Sequence, residues 1–268
     1  MYDLNAIKDY LDTMYTGQTI IQFDELKSTS AKAKSIFSTC PHGTVVLSEH
    51  QSSCAVRLGR EWYSIPDKNI YMSIILKPRL ESCMLSKYDA VLSASVLRAV
   101  NSLSDTLMFR TKWPNDILAD RKKVSSIYCE TVKIKNKTEG IIASIFINVN
   151  SDESDLDEGI KENSTSLKIK LQQEINRELL IGSIINNFEI YHEEMLNNDD
   201  INEAIKNCIN NSMLAGKNIR INKPGKKTTR EVTVKGIDAD GNLVVLNDKG
   251  NEEIIYSGEI ILKYEEES

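Results

Sequence analysis

Two apolar segments joined by a short charged turn limit what this chain can fold into. The segments "KVSSIYCETVKI" (123–134) and "EGIIASIFINVN" (139–150) are rich in β-branched residues, and the turn "KNKTE" separates them. This pattern predicts a β-hairpin of two long strands. Apolar runs over 43–50 and 69–76 predict two further buried strands, so a sheet of several strands is expected.

Helical periodicity surrounds these strands. Apolar residues recur three or four positions apart in three segments, 3–15, 85–104 and 173–198. Ser28 and Thr29 are favourable cap residues for a further helix over 28–37. The sequence therefore predicts an α+β fold, with a mixed sheet and flanking helices.

The chain changes character after Gly216. Short alternating segments such as "REVTVKGID" and "NLVVLND" follow one another closely and are divided by turns that contain glycine. This arrangement predicts a small β-barrel. We therefore expect two domains, a larger one over 1–214 and a barrel over 215–268.

Composition restricts the classes of partner. The net charge of −6 and the pI of about 5.3 argue against a general nucleic-acid binder. The first residues do not form a signal peptide, and no apolar run reaches the length of a membrane span, so no membrane association is expected. The five cysteines include no C-x-x-C pair and fit free thiols in a cytoplasmic protein.

Polar residues that are candidates for binding or catalysis cluster around "KWPNDIL" (112–118). Asn115 and Asp116 follow a proline at a turn, where they can face a ligand or serve only as turn residues. Lys123 stands at the entrance of an apolar strand, where it can hold a carboxylate or phosphate or remain a solvated charge. In "QSSCAVRLGREW" (51–62), Arg57 and Arg60 can clamp a phosphate or belong to a charged surface loop.

Taken together and in this order, the segments resemble the biotin–protein ligase family. The matching elements are "KSTS", "QSSCAVRLGREW", "NIYMS", "KWPNDIL", "KKVSSI", "SIFINVN", "GIDADGNL" and "YSGEI". The resemblance extends over essentially the whole chain, and its most specific part is K-W-P-N-D at the family distance from Lys123 and from "INVN". It implies a biotin/lipoate ligase-like catalytic domain followed by an SH3-like barrel. Since no winged-helix segment precedes residue 20, the resemblance is to the short form that does not bind DNA.

The resemblance implies an adenylate-forming enzyme. ATP, with Mg²⁺, and biotin would form biotinyl-5′-AMP, and a lysine of a biotin carboxyl carrier protein would then attack this mixed anhydride. A homodimer formed through a sheet edge is an open alternative. The resemblance also implies roles at the biotin end of the site. Ser28, Thr29 and Gln51 match positions that hydrogen-bond the ureido ring, and Ser126 and Phe146 lie at positions that contact the substrate.

At the nucleotide end, Lys123 matches the lysine that bridges the biotin carboxylate and the α-phosphate. Arg57 matches the arginine that retains the adenylate, and Asp116 matches a position near the phosphates, the metal and the acceptor lysine. The remaining nucleotide-side positions implied by the resemblance are Arg60, Trp62, Lys112, Asn115 and Asn148.

The sequence departs from the family pattern at glycines. Side chains replace them at Cys54, Val56, Ser126, Ser144 and Phe146. Val56 is β-branched, and positive φ at such a residue costs about 1–2 kcal/mol of free energy. The Phe146 ring would exclude any ligand that overlaps it unless the pocket is reshaped. Three hypotheses follow: a working biotin–protein ligase, a relative that adenylates a different carboxylate, and a non-catalytic binding or regulatory homologue.

Overall fold

The computed structural model describes residues 1–53, 62–78, 85–222, 230–256 and 261–263 of the 268-residue chain. The helices are α1 (Leu4–Asp9), α2 (Thr29–Ile36), α3 (Leu85–Asn101), α4 (Glu158–Lys161), α5 (Leu167–Leu171), α6 (Arg177–Asn198) and α7 (Asn202–Asn210). The strands of the larger unit are β1 (Ile20–Leu26), β2 (Val45–Gln51), β3 (Ile70–Leu76), β4 (Arg110–Lys112), β5 (Asp116–Ala119), β6 (Lys122–Ile134) and β7 (Lys137–Ile147). The C-terminal strands are β8 (Asn218–Asn222), β9 (Arg230–Ile237), β10 (Leu243–Leu246), β11 (Glu252–Ile255) and β12 (Ile261–Lys263).

Seven strands form a mixed sheet in the order β1-β2-β3-β7-β6-β5-β4. Strands β1 and β2 run parallel, and the other neighbours pair antiparallel. The predicted hairpin is confirmed, since β6 and β7 pair directly and lie inside the sheet. Every residue of β3 is buried, because layers cover both faces of the sheet there, and this explains its unbroken apolar run.

Helices cover the two faces unequally. The main hydrophobic core joins one face of the sheet to α3, α6 and α7. On the other face, α2 covers a smaller cluster that includes Ala33, Phe37 and Ile142. The remainder of this second face carries polar and aromatic side chains, and the candidate site lies there.

The C-terminal strands form a second, antiparallel sheet in the order β11-β10-β9-β8-β12. Its separate core contains Ile219, Val234 and Val245, together with Leu214 and Trp113. The α+β class with a small SH3-like barrel is confirmed. The division between residues 214 and 215 stays a prediction.

The first helix is shorter than the sequence predicts. It ends at Asp9 instead of continuing to residue 15. The amide of Asn186 on α6 accepts from the Asp12 N–H at 2.9 Å and donates to the Tyr10 carbonyl at 2.8 Å. These contacts satisfy backbone groups that a longer helix would have paired internally. Within the described ranges, no helix has the length and apolar character needed to cross a membrane.

Candidate functional site

A row of four side chains crosses the polar face of the large sheet. The strand register pairs Tyr71 with Phe146, Phe146 with Ser126, and Ser126 with Asp116. Residues that are directly opposite in neighbouring strands project from the same face. These four residues, from β3, β7, β6 and β5, form the floor of the candidate site and are called the floor row below.

Hydroxyl groups lie at one end of this floor. Ser73 and Ser144 are paired across β3 and β7, one step along the same face from the floor row. The Ser73 hydroxyl donates to Thr29 Oγ1 at 2.8 Å and lies 2.8 Å from Ser144 Oγ. We call Thr29, Ser73 and Ser144 the hydroxyl cluster. Because hydroxyls donate and accept, the cluster can hydrogen-bond a polar ligand group.

Neighbouring residues fix the hydroxyl cluster in place. Thr29 begins α2, and its backbone N–H donates to Gln51 Oε1 at 2.6 Å. Ser28 is the N-cap of the helix, as its sequence predicts, and accepts from the Ala31 N–H at 3.4 Å. Ser28, Thr29 and Gln51 are thus close together and buried, although 22 residues separate the second from the third.

A charged pair lies at the other end. Lys123 Nζ is 2.8 Å from Asp116 Oδ2, and the Asp116 side chain is only 12% exposed. The Ser126 hydroxyl donates to Asp116 Oδ1 at 3.0 Å. The Asn115 amide donates to the Ile127 carbonyl at 2.8 Å and to Ser126 Oγ at 3.3 Å. The carboxylate is therefore held from two sides, while the Lys123 side chain is 29% exposed.

A β-bulge brings the lysine to this face. Residues 123 and 126 are three positions apart, so a regular strand would place them on opposite faces. In the observed register, Ile117 pairs with Ser125 and Leu118 pairs with Lys123, which leaves one additional residue, Val124, in β6. Such an insertion changes the direction in which the following side chains point. Lys123 can consequently reach Asp116 on the floor.

Aromatic rings occupy the floor between the hydroxyl cluster and the charged pair. Phe146 and Trp62 stack with ring centroids 6.2 Å apart and an interplanar angle of 28°. With Tyr71 they form an apolar cluster separate from the main core. Phe146 is 1% exposed, so its ring covers floor area that a glycine would leave open.

Other predicted site residues have structural partners. Asn148 is buried and donates to the Thr165 carbonyl at 3.1 Å. Lys112 pairs in register with Asp116 and is half-buried at the end of β4. Arg57 and Arg60 fall outside the described residues.

Sequence reasoning did not single out Tyr71 and Ser73 as site residues. Both belong to the quoted segment "NIYMS", and both face the floor from β3. The sequence contains a pattern that could have identified them, because two hydroxyl-bearing residues alternate with apolar ones in a strand that is otherwise continuously apolar. Trp113, in the same motif as Asn115 and Asp116, is a core residue, since it packs in the C-terminal core and donates from Nε1 to the Gly241 carbonyl at 3.0 Å.

The fold and these residues can now be compared with known proteins. Residues 20–150 match the family model described as "Biotin/lipoate A/B protein ligase family", and residues 215–263 match "Biotin protein ligase C terminal domain". The large sheet is therefore of the biotin/lipoate ligase class. The chain belongs to the biotin protein ligase family.

Individual relatives agree with this assignment. The bifunctional ligase/repressor BirA of Bacillus subtilis is 30% identical over 188 residues, a match that covers 69% of this chain and 57% of the relative. Biotin protein ligase from Aquifex aeolicus, solved with biotin and ATP, has a TM-score of 0.79 at 24% identity over 92% of this chain and 100% of its own. The Leishmania major enzyme, solved with biotinyl-5-AMP, has a TM-score of 0.60 at 17% identity over 90% of this chain and 99% of its own. The two solved structures support the fold.

Proposed function

We propose that this protein is an ATP-dependent biotin–protein ligase. In the first step, a carboxylate oxygen of biotin attacks the α-phosphorus of ATP, which forms biotinyl-5′-AMP and releases pyrophosphate. In the second step, a lysine amine of a biotin carboxyl carrier domain attacks the carbonyl carbon, so that an amide forms and AMP leaves. The Aquifex aeolicus ligase, solved with biotin and ATP, and the Leishmania major ligase, solved with biotinyl-5-AMP, support these substrates.

The observation that carries the proposal is the charged pair on the same sheet face as the hydroxyl cluster. Adenylate formation brings a carboxylate next to a triphosphate, and a fixed cation lowers the repulsion between these anions. Lys123 supplies this cation, Asp116 holds its amine in position, and the Ser126 hydroxyl in turn donates to Asp116. The hydroxyl cluster, with Ser28 and Gln51, lies where it can hydrogen-bond the polar ring at the far end of the acid.

Mg²⁺ fits the same end of the floor. A carboxylate together with phosphate oxygens is a common ligand set for this ion in nucleotide sites. Asp116 is such a carboxylate, and it lies beside the lysine that would meet the α-phosphate. When bound with ATP, the ion would neutralise charge on the departing pyrophosphate. On the nucleotide side we further assign Trp62, Lys112, Asn115 and Asn148, together with Arg57 and Arg60.

The proposed acceptor is a biotin carboxyl carrier protein in the cytoplasm. The family of the chain supports this choice. We propose that residues 1–214 form the catalytic domain and that residues 215–268 form the barrel.

Adenylate formation tests the proposal directly. Purified protein is incubated with ATP and Mg²⁺, with or without biotin, and pyrophosphate release and the mass of the adenylate are measured. A biotin-dependent adenylate supports the ligase. ATP binding without this product would contradict biotin as the substrate, and the absence of both would indicate a non-catalytic homologue.

A second candidate is a ligase for a different carboxylate. The observation that favours it is the pair of side chains, Ser144 and Phe146, that stand on the floor where the family pattern has glycines. A panel of other carboxylic acids in the same assay separates the two candidates. Adenylate from another acid but none from biotin would favour this second function.

A further inference from the structure

We propose that Phe146 and Trp62 form a gate over the substrate floor, and that an acid of the size of biotin binds only after their rings separate. We call this stacked pair the ring gate. The inference rests on the proposed function, because it concerns how the acid enters the ligase site. It identifies Phe146 as a residue that determines which acids this site accepts and how tightly.

The Phe146 ring lies in the middle of the floor row. Phe146 lies on β7, and its neighbours in the floor row are Tyr71 on one side and Ser126 on the other. The hydroxyl cluster is one step away along the strand, and Asp116 is two strands away, which is roughly 10 Å at the usual spacing of 4.7–4.9 Å between strands. An acid that contacts both ends must therefore cross the floor beside Phe146.

The ring gate has polar neighbours on the floor. The three aromatic rings form an apolar cluster separate from the one under α2, and they lie on a part of the face that also carries hydroxyls, an amide and an ion pair. Trp62 is 9% exposed, and its indole Nε1 is buried without a hydrogen-bond partner within the described part of the chain. A buried donor without a partner raises the free energy of the closed state relative to any state that pairs it. Separation of the rings provides such a state, in which Nε1 can meet water or the ligand.

The three rings differ in what holds them in place. Hydrogen bonds hold Tyr71, whose hydroxyl donates to the Ile65 carbonyl at 3.0 Å and accepts from the Ile65 N–H at 2.7 Å. Phe146 has no polar atom on its side chain, and Trp62 lies in an irregular segment before β3. The backbone of Phe146 is fixed between two strands, so the gate opens by rotation of its side chain and displacement of Trp62.

Calorimetry of biotin binding tests the gate. We compare wild type with Phe146→Ala and Phe146→Gly, and we use Ile145→Ala as the matched control, since Ile145 lies on the same strand and packs in the main core. We expect biotin affinity to rise about tenfold or more in the Phe146 variants, which corresponds to rings that are separated in roughly one wild-type molecule in ten. The control should bind biotin as wild type does. Unchanged or weaker binding by folded Phe146 variants would overturn the gate.

Kinetics separate a gate from a general packing effect. In pyrophosphate release, the KM for biotin should fall in Phe146→Ala while the KM for ATP stays within about twofold of wild type. If wild type forms biotinyl-AMP and the variant shows no gain in affinity, the gate fails and the ligase stands. If the variant binds biotin more tightly but neither protein forms the adenylate, the gate stands and the ligase fails. If no variant binds biotin, both are overturned.

Fluorescence provides a test that does not depend on a Phe146 variant. The chain has two tryptophans, so Trp113→Phe leaves Trp62 as the only indole. Biotin should change the emission of Trp62, because the ring leaves Phe146 and its N–H gains a partner. Saturating biotin, shown to bind by calorimetry, with no change in emission would contradict the gate.

Discussion

Lys122 and Lys123 are adjacent in the chain, but their amines have different partners. Lys123 Nζ meets Asp116 Oδ2 at 2.8 Å on the floor. Lys122 Nζ donates to the Lys161 carbonyl at 2.9 Å, at the end of α4. The sequence "KK" alone does not identify which lysine reaches the floor, and the bulge in β6 makes the difference.

This pair gives a matched test of the proposed cation. Lys123→Ala should reduce adenylate formation by about 10²-fold or more, the usual effect of losing one preorganised group that stabilises transition-state charge. Lys122→Ala removes the same charge from the neighbouring position and should leave the rate within about threefold of wild type. Pyrophosphate release measures both variants. Equal rates for Lys123→Ala and wild type would refute the role of Lys123.

At the scale of elements, the sequence predicts which strands exist better than it predicts their register. The apolar runs that became β2, β3, β6 and β7 are visible because their side chains are buried on both faces or pair across a hairpin. The additional residue at Val124 leaves no local signal, since it depends on how β6 pairs with β5. The face reached by Lys123 could therefore not be predicted from alternation.

The end of α1 was not predictable for a related reason. The Glu189 carboxylate on α6 accepts from the backbone N–H groups of Met14, Tyr15 and Thr16. These partners are more than 170 residues away in the sequence. Local periodicity suggested a longer helix, and tertiary hydrogen bonds to α6 selected a different backbone path.

One glycine in β7 is required by a close approach between elements. A Cβ at Gly140 would lie 2.3 Å from the Leu76 carbonyl oxygen and 2.4 Å from the Phe37 ring. Gly140→Ala should therefore lower the free energy of unfolding by about 1–3 kcal/mol or more through overpacking. Urea unfolding followed by circular dichroism measures this change.

Gly159 in α4 provides the control. A Cβ there would meet only Asp157 Oδ1, at 3.7 Å. Gly159→Ala should leave stability unchanged or raise it by up to about 1 kcal/mol, because alanine favours a helix. If both variants unfold at the same urea concentration, the close packing at Gly140 does not limit stability.

At the scale of the whole molecule, a buried histidine couples stability to pH. His192 is fully buried and stacks on Phe188 with ring centroids 5.1 Å apart. Burial, together with the nearby His42, lowers the pKa of His192 to about 3. The Tyr15 hydroxyl lies 2.7 Å from His192 Nδ1. The imidazole is therefore neutral in the folded protein above that pH.

The sign of the effect follows from the lowered pKa. Between the unfolded value of about 6.5 and the folded value, only the unfolded chain binds this proton, so stability falls as pH falls. The expected slope from this residue approaches about 1.4 kcal/mol per pH unit below pH 6. His192→Asn should make the dependence of unfolding free energy on pH less steep between pH 6.5 and 5, whereas His50→Gln, at a partly exposed position, should keep it. Parallel curves for wild type and His192→Asn would contradict this prediction.

The two sheets are joined through the motif that best identified the family. Trp113 packs with Leu214, Ile219 and Val234 in the C-terminal core, and its indole donates to Gly241. Gly241 in turn has φ of +82° and approaches α3 so closely that a Cβ would lie 2.3 Å from the Ser86 carbonyl. Residues of the ligase unit therefore complete the core of the barrel.

This joint has a consequence for protein engineering. In a chimaera that exchanges residues 215–268 for the barrel of a relative, the Trp113 indole of this chain must pack in the core of the other parent's barrel. Such a barrel fits only if its core has a hole of matching shape and a carbonyl at the position of Gly241. The choice of crossover point must consequently take account of Trp113, which lies about 100 residues before the exchanged segment begins. The linker sequence alone does not determine it.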